Sequence, residues 1–423
     1  MSSSSKEYDL LLFGVTGFTG KLALEYLLEK NYKGLKFGIA ARNETKALDC
    51  VKLVCERLSD RTGNDMGIYT KLAPKKVEVV DLVVNSKEDE AKLRSIVRKT
   101  KVCITTAGPF EKYGQALVKV CAEEGVHYAD ITGESDFFRM MIERHDSAAL
   151  KSGAIIVPHC GNDCIPWDLS VFEMNEYAKS QGSELVEVST YTEVPSGTAM
   201  SGGTLNTAIY QLGKKRSKSN ASFDPLLRLV DGSKSEFTQK NVSPKSDVYV
   251  SEFKRNGGPW IMGPVMANCV RRSNALLGYN KELIYSECLL RETGWVPWVQ
   301  AVAYECLVTA AVVAPFLFQR FLPAPGEGPS RATMNQGWLK VHARGTMRNA
   351  SNGVEVKLMS QYAFYEDTTY LSTAKFLVEA GRLLLELKGV SGVVTPSVAF
   401  GSKIVDRLAT EIGSDFRLSE VPN

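Results

Sequence analysis

The chain has 423 residues, of which 44% are hydrophobic and 23% charged, and its formal net charge is +3. That length gives room for roughly two or three domains, and the composition is ordinary for a globular protein. A charge so close to zero, without basic blocks that alternate with aromatic residues, argues against nucleic acid as a partner. The nine cysteines occur singly, so we expect free thiols in a cytoplasmic protein and no metal site.

The chain begins with an apolar strand that leads into a glycine-rich turn and then a helix. Residues 10–13 form the strand, Gly14, Gly17 and Gly20 follow, and the helix starts near Lys21. Glycines let the backbone approach a pyrophosphate, and a helix N-terminus directs its N–H groups toward it. We therefore predict a dinucleotide site here; the alternative is a glycine turn that binds nothing.

A second predicted strand, residues 36–40, ends in Ala41, Arg42 and Asn43. Enzymes that use NAD carry an acidic residue near this place for the ribose 2′-hydroxyl, whereas an arginine suits a 2′-phosphate. The sequence therefore predicts NADPH as the cofactor. A solvated arginine at the end of the strand is the alternative.

Strands and helices alternate up to about residue 168. Further strands are predicted at residues 77–80, 102–105, 127–130 and 154–157, with helices between them at 44–58, 87–99 and 114–124. This alternation predicts an α/β fold, a doubly wound parallel sheet of the Rossmann type over residues 1–168. Ligands lie at the carboxyl ends of such strands, where Arg42, Asp81, Thr106–Phe110 and Asp130–Glu134 fall.

Beyond residue 168 the pattern changes to an alternation with period two, in residues 185–194, 337–346 and 354–364. That alternation is typical of antiparallel strands with one solvent-facing side. We predict a second α/β domain with a mixed sheet over residues 169–366. Helices predicted at 370–387 and 397–412 would make residues 367–423 a C-terminal helical return to the first domain.

The segment Trp295–Leu322 is apolar, with Glu305 as the only charge before Arg320. Pro297 and Pro315 would interrupt a straight membrane span, and the length is borderline for one. A buried core helix explains the composition. The alternative is an apolar hairpin that contacts a membrane or lipid droplet, or covers an apolar substrate. No signal peptide or lipidation motif is found in the sequence.

Proton-exchanging side chains surround the expected nicotinamide position. Hydride transfer to a C=C or C=N bond needs a proton donor for the opposite atom. The candidates are Tyr113, His127, Tyr128 and Asp130, and the alternative for them is a hydrogen-bonded support network. Asp163, in a second polar turn, is a further candidate, with helix capping as its alternative role. Hydroxyl and glycine residues at 196–198 and 201–204 could hold a carbonyl or anionic group, or cap a helix.

Several segments together resemble one known family. They are GVTGFTG (14–20), AARN (40–43), TTAGPFEKYG (105–114), VHYADITGE (126–134), GNDCIPWDL (161–169), SGGT (201–204) and GVVTPSVAFG (392–401). The chain resembles the saccharopine dehydrogenase-like oxidoreductases, in particular the branch with the mycobacterial trans-acting enoyl reductases and the saccharopine dehydrogenase-like proteins of plants and animals. Asn162 departs from the pattern, because relatives often have phenylalanine there.

The resemblance implies which residues hold the cofactor. Around the pyrophosphate it implies Gly14, Thr16, Gly17, Phe18, Thr19 and Gly20. Near the phosphorylated ribose we predict Ala41, Arg42, Asn43 and Asp81, and along the nicotinamide side Thr106, Ala107, Gly108, Pro109 and Tyr113. No metal ligand is implied.

We predict an NADPH-dependent oxidoreductase that reduces a conjugated C=C bond of a lipophilic or specialised-metabolite substrate. One alternative is a saccharopine-type imine or amino-acid dehydrogenase. Another is a non-catalytic, NADPH-binding protein associated with lipid droplets. The sequence leaves open whether the protein forms a homodimer.

Overall fold

The structure is a computed structural model that describes residues 6–195, 200–213, 222–291 and 326–421, with six further positions between 292 and 325. The first half of the chain alternates strands and helices. Its elements are β1 (Tyr8–Phe13), α1 (Phe18–Lys30), β2 (Phe37–Ala41), α2 (Glu44–Thr62), α3 (Met66–Leu72), β3 (Val77–Val79), α4 (Lys87–Val97), β4 (Thr100–Thr105), α5 (Phe110–Tyr113), α6 (Gln115–Glu124), β5 (His127–Asp130), α7 (Ser135–Ser152) and β6 (Ile155–Val157).

These six strands form one parallel sheet in the order β6-β5-β4-β1-β2-β3. Both of its faces are covered, which the central strand β1 illustrates. Leu10 and Leu12 pack in one apolar cluster, whereas Leu11 and Phe13 pack in another on the opposite face. Burial on two sides explains why the strand is a continuous apolar run. The predicted doubly wound parallel sheet is confirmed.

The middle of the chain builds a second sheet. Its elements are α8 (Ile165–Ser180), β7 (Ser183–Glu193), α9 (Gly202–Gly213), β8 (Thr238–Asn241), β9 (Val248–Val250), β10 (Arg255–Gly258), α10 (Gly263–Leu277), β11 (Glu282–Leu290), α11 (Arg331–Asn335), β12 (Leu339–Asn349) and β13 (Glu355–Phe364). One face of the sheet packs against α8 and α10 through residues such as Val171, Val270 and Tyr285.

The second sheet is mixed, as predicted, but one strand differs from its sequence pattern. β12 pairs antiparallel with both β13 and β7. β7, whose alternation is typical of antiparallel strands, also pairs parallel with β11. An alternation of apolar and polar residues indicates that one face of a strand is more exposed to solvent than the other. It does not indicate whether the neighbouring strand runs parallel or antiparallel.

The C-terminal residues return to both sheets. Their elements are α12 (Thr373–Leu384), β14 (Gly392–Val393), α13 (Pro396–Phe400), α14 (Ser402–Ile412) and β15 (Asp415–Glu420). β14 pairs with β6 at the edge of the first sheet, and β15 pairs with β13 at the edge of the second. The sequence predicted only helices here, because β14 has two residues and β15 has only two apolar residues, Phe416 and Leu418. The helix predicted over 397–412 is divided at Gly401, whose φ is +54°.

A buried carboxylate fastens α12 to α1. Glu379 is fully buried and accepts hydrogen bonds from the hydroxyls of Tyr26 (2.9 Å) and Tyr32 (2.5 Å). Its other oxygen accepts from Arg382 Nη1 at 2.7 Å and lies 3.5 Å from Arg407. Because a buried charge is tolerated only when it is paired and hydrogen-bonded, this cluster fixes the C-terminal helices against the first domain.

Candidate cofactor and active site

Two of the three glycines in the first turn are required by its geometry. Gly14 has a φ of +84°, which disfavours residues with a Cβ atom. A Cβ atom at Gly20 would lie 2.1 Å from the carbonyl oxygen of Gly14, so only glycine lets α1 start this close to the strand. The turn is closed by a hydrogen bond from Gly17 N to Gly14 O at 2.9 Å.

The start of α1 offers its N–H groups to a ligand. Gly17 precedes α1 and supplies no capping side chain. In contrast, the neighbouring helices α2 and α4 are capped by the side chains of Asn43 and Ser86. Uncapped N–H groups at a helix N-terminus suit a phosphate group, so the turn fits the pyrophosphate of a dinucleotide.

The turn that follows β4 packs directly against this glycine turn. Thr106 Oγ1 donates to Gly14 O at 3.2 Å, and a Cβ atom at Gly14 would lie 2.8 Å from Ala107 N. Gly108 continues the turn next to Thr207 of α9. The residues predicted at the pyrophosphate and the nicotinamide therefore lie side by side at the carboxyl edge of β1 and β4.

Arg42 extends from the end of β2 on the other side of the glycine turn. Its side chain is exposed and makes no ion pair with any residue that the structure describes. Asn43 accepts from Lys46 N at 2.8 Å, and Asp81, beyond β3, accepts from Val83 N at 3.0 Å. A free guanidinium at this position fits a 2′-phosphate, whereas Asn43 and Asp81 also stabilise local backbone.

Glu134, which the sequence placed at a ligand-facing strand end without indicating a role for it, supports the nicotinamide side. Its carboxylate accepts from Phe110 N (2.6 Å) and Glu111 N (3.0 Å) at the start of α5. It also accepts from Gln211 Nε2 of α9 at 2.8 Å. Glu134 therefore joins the loop after β4, the end of β5 and the second domain. Its place at the end of the VHYADITGE segment is the signal that could have indicated it.

Asp130, at the carboxyl end of β5, is a support residue in this structure. It is fully buried, and its oxygens accept from Tyr128 Oη (2.7 Å), Thr132 N (3.0 Å) and His159 N (3.2 Å). Burial raises its pKa, while these hydrogen bonds act in the opposite direction. With both oxygens engaged by internal donors, Asp130 ties the end of β5 to the turn after β6.

His127 lies away from the site, and its prediction as a proton donor is corrected here. It is the first residue of β5, paired in register with Val102, whereas Asp130 pairs with Thr105 at the carboxyl edge. Three residues of strand separate the two ends by about 10 Å. Its Nδ1 accepts from Ile155 N at 3.1 Å, and burial lowers its pKa.

Asp163 lies in the turn between β6 and α8, at the same edge of the sheet. Its side chain is half-buried, and Oδ2 would lie 3.5 Å from a Cβ atom at Gly133. Burial raises the pKa of Asp163 to about 6, although His159 and Asn162 act to lower it. Titration near neutral pH suits a carboxyl group that donates a proton. The structure also places Tyr113, half-buried, at the end of α5.

The second domain closes over the glycine turn through residues 326–328, here called the strap. Gly326 O accepts from Lys21 Nζ at 3.0 Å, and a Cβ atom at Gly328 would lie 2.8 Å from the ring of Phe18. Glu327 O accepts from Gly202 N, the first residue of α9, at 3.1 Å. The glycine turn therefore lies at the boundary between the two domains.

Ser201 and Thr204 also help to hold the second domain against α1. Tyr370 Oη accepts from Ser201 N at 2.6 Å and donates to Thr204 Oγ1 at 3.1 Å. The Tyr370 ring meets that of Phe18 edge-on, with the centroids 5.3 Å apart. The hydroxyl groups that the sequence suggested for ligand binding are thus partly engaged in holding α9 against α1.

Some predictions fall on residues that the structure does not describe. These include 196–198 and most of the apolar segment Trp295–Leu322. Within the described part of the chain, no helix is both long and apolar enough to span a bilayer. In that same part, no three histidine, cysteine or acidic side chains are grouped as metal ligands, and the cysteines are free thiols.

Comparison with known proteins identifies the class. Residues 10–157 match the family model of the saccharopine dehydrogenase NADP binding domain. Among solved structures, apo saccharopine dehydrogenase (L-Glu forming) of Saccharomyces cerevisiae covers 98% of this chain and all of its own, with a TM-score of 0.55 and 14% identity, which supports the shared fold. The family match, together with the glycine turn and Arg42 described above, identifies the protein as an NADP-dependent oxidoreductase with NADPH as its cofactor.

Full-length relatives identify the family more closely. A candidate trans-acting enoyl reductase of Mycobacterium tuberculosis (strain ATCC 25618 / H37Rv) is 30% identical, with 96% of this chain and 97% of the relative aligned. The trans-acting enoyl reductase of Mycobacterium ulcerans (strain Agy99) is 28% identical over the same shares. The chain belongs to the saccharopine dehydrogenase-like oxidoreductase family, the group that contains these enoyl reductases.

Proposed function

We propose that this protein reduces the C=C bond of an α,β-unsaturated carbonyl compound with an apolar body. NADPH, when bound, supplies a hydride, which would go to the β-carbon. Asp163 would donate a proton to the α-carbon, so that the double bond becomes a single bond and the carboxyl group becomes a carboxylate. Solvent would reprotonate the carboxylate after product release.

The observation that carries this proposal is the position and titration of Asp163. Its carboxyl group lies at the carboxyl edge of the sheet, beside Gly133, with a pKa raised to about 6 by burial. Among the predicted donors, Asp130 is enclosed by hydrogen bonds and His127 lies at the opposite edge. A half-buried acid with a pKa close to the working pH meets the requirement for proton donation.

The side chains around Asp163 favour an apolar substrate. The apolar side chain of Met262 would lie 2.9 Å from a Cβ atom at Gly133, on the same residue that Asp163 approaches. A saccharopine-type substrate carries several carboxylate and ammonium groups, which would call for charged partners. The names of the full-length relatives point to the same enoyl chemistry. An imine reductase is the alternative chemistry for the same hydride and proton positions.

Substrate panels test the proposal. Purified protein should oxidise NADPH with an enone or an enoyl thioester, and deuterium from labelled NADPH should appear on the β-carbon of the product. Oxidation with 2-oxoglutarate plus lysine instead would favour the imine reductase. Tight NADPH binding without turnover on either panel would contradict both chemistries and favour a non-catalytic, cofactor-binding protein.

We also propose that the apolar segment Trp295–Leu322 contacts a lipid surface or covers the substrate. Its composition supports this, since exposed apolar stretches commonly mark interaction sites. Flotation with phosphatidylcholine-coated triacylglycerol droplets tests the lipid contact. The protein should float with the droplets, and a variant with Trp295 and Trp298 replaced by serine should stay behind. Equal behaviour of both proteins would reject the lipid contact.

A further inference from the structure

Two polar side-chain atoms, one in β11 and one in the loop before α10, are buried without a hydrogen-bond partner among the described residues. They are Oε2 of Glu287 and Nε1 of Trp260. The Glu287 side chain belongs to a residue that is only 6% exposed. Most buried polar groups in proteins are paired, so atoms of this kind are expected where a ligand supplies the partner.

The Glu287 carboxyl group is held directly against the first residue of α10. A Cβ atom at Gly263 would lie 2.4 Å from Glu287 Oε1, so glycine is needed for this approach. On the sheet, Glu287 pairs in register with Thr190 of β7. Thr190 and Tyr285 share a hydrogen bond of 3.3 Å on the same buried face. The buried face of the second sheet is therefore apolar over most of its area and polar at Thr190, Tyr285 and Glu287.

That end of the sheet is linked to the turn that carries Asp163 through two side chains, Trp167 and Met262. Thr192, two residues beyond Thr190, accepts from Trp167 Nε1 at 3.1 Å, and Trp167 lies in the first turn of α8, four residues after Asp163. From the other side, Met262 precedes Gly263 and would touch a Cβ atom at Gly133 at 2.9 Å. The start of α10 therefore connects the Glu287 carboxyl group with the turn that carries Asp163.

The hydrogen-bond donors and acceptors near Gly263 limit which ligand groups could bind there. Backbone carbonyls already accept from Gly263 N and Val265 N at 2.9 Å, and Pro264 has no N–H group, so the helix start offers little to an anion. The Glu287 oxygen needs a donor, and the Trp260 N–H group needs an acceptor. A hydroxyl group is both. Burial raises the pKa of Glu287, while a hydrogen bond with Ser243 acts in the opposite direction.

We propose that Glu287 and Trp260 form a subsite for a hydroxyl group of the substrate, beside the proton donor Asp163. The inference rests on the proposed reductase function and narrows its substrate class. The substrate would be an unsaturated carbonyl compound that is apolar except for one hydroxyl group. Glu287 and Trp260 then act in binding and selectivity, and the reduction itself does not require them.

A matched ligand pair tests the subsite by binding, independently of turnover. Protein saturated with NADP⁺ is titrated calorimetrically with benzylideneacetone and with 4-hydroxybenzylideneacetone, which differ by one hydroxyl group. We expect the hydroxylated enone to bind the wild-type protein at least about tenfold more tightly, the change that one well-made hydrogen-bonded group contributes.

Two variants locate the effect. Trp260→Phe removes the N–H group, and Glu287→Leu removes the carboxyl group without adding a buried charge. In each variant, benzylideneacetone and 4-hydroxybenzylideneacetone should bind with nearly equal affinity, so that the ratio of the two affinities is close to one. Trp338→Phe, at a partly buried position just before β12, and Glu282→Leu, at the exposed first residue of β11, change the same residue types elsewhere and should keep the wild-type preference for the hydroxylated enone. A thermal midpoint near that of the wild type confirms that each variant is folded.

The outcomes are distinct from those that test the reductase function. An affinity ratio near one in the wild type, a ratio unchanged in both site variants, or no binding of the hydroxylated probe overturns the subsite. Failure to reduce any enone overturns the proposed function instead. Turnover of benzylideneacetone with no preference for the hydroxylated probe would leave the reductase function intact and remove the subsite alone.

Discussion

Asp163 and Arg42 are the two residues through which the chemistry can be tested most directly. Burial raises the pKa of Asp163 to about 6, and Arg42 is an exposed guanidinium that pairs with no acidic side chain in the part of the chain that the structure describes. The first controls a proton, and the second controls the choice of cofactor. Each supports a prediction that does not depend on the other.

The rate of reduction should follow the protonation of Asp163. Since the protonated form donates and the pKa is about 6, the single-turnover rate should be highest below that pH and fall about tenfold per unit above it. Asp163→Asn should lower the rate by about 10² to 10⁴ and flatten the profile. A variant that keeps the wild-type profile would show that another group donates the proton.

Arg42 should set the preference for the phosphorylated cofactor. Charge-assisted hydrogen bonds contribute about 1.5–3 kcal/mol, so Arg42→Ala should weaken NADPH binding by about 10- to 100-fold and leave NADH binding unchanged. Fluorescence titration measures both constants. Arg144→Ala, an exposed arginine on α7 at the other face of the sheet, serves as the control. An equal loss for both dinucleotides would mean that Arg42 does not contact the 2′-phosphate.

How well residues could be predicted from the sequence depended on how local their roles are. Gly14 and Gly20 were identifiable because the strand, the turn and the helix follow one another within a few residues. His127 was misjudged because a strand segment rich in titratable groups does not show which end faces the ligand. Glu134 and Glu287 act through partners more than 20 residues away in the chain, at Phe110 and Gly263. Only the folded chain brings such pairs together.

At the scale of elements, the packing of α12 on α1 depends on one buried carboxylate. Glu379 is shared by two tyrosine hydroxyls and two arginines. The same Arg407 also pairs with Glu386, which is largely exposed. The two glutamates therefore offer a comparison between a buried and a surface ion pair that involves one common arginine.

Replacing the buried carboxylate should destabilise the protein. Glu379→Gln removes charge-assisted hydrogen bonds within a buried network, so the free energy of unfolding should fall by about 1–3 kcal/mol. Glu386→Gln should change it by less than about 0.5 kcal/mol, because exposed pairs contribute little. Urea denaturation measures both. Equal effects of the two substitutions would argue against Glu379 as the fastening point.

The strap should govern how long the cofactor stays bound. A side chain at Gly328 would collide with the Phe18 ring, so Gly328→Val should displace the strap from the glycine turn. We expect NADPH to dissociate about tenfold faster, with a smaller increase for Gly328→Ala, since affinity changes within one site appear mostly in the dissociation rate. Stopped-flow displacement with excess NADP⁺ measures this rate. Unchanged dissociation in both variants would show that the strap does not retain the cofactor.

At the scale of the whole molecule, the cofactor crevice and the C-terminal residues both connect the two sheets. The strap and α9 contact α1 and the loop after β4, while β14 and β15 complete separate sheets. Each domain would therefore lose packing contacts if the other were absent or unfolded. Thermal unfolding should proceed as a single cooperative transition for this reason.

Binding of NADPH should shift that transition as a whole. At a concentration 100 times the dissociation constant, the cofactor should add about 2.7 kcal/mol to the free energy of unfolding. Differential scanning calorimetry measures the shift, and Arg42→Ala should need a higher concentration to reach it. Two transitions, of which NADPH moves only one, would show that the domains unfold independently.

The position of the last strands has a consequence for the order of events during synthesis. N-terminal parts of a chain fold while translation continues, yet β14 and β15 come from residues 392–393 and 415–420. The edges of β6 and β13 consequently stay uncovered until these two segments have been synthesised. Unpaired edges invite pairing with other chains, so a nascent chain stalled before residue 392 should depend on chaperones, and a premature stop codon there should yield aggregates.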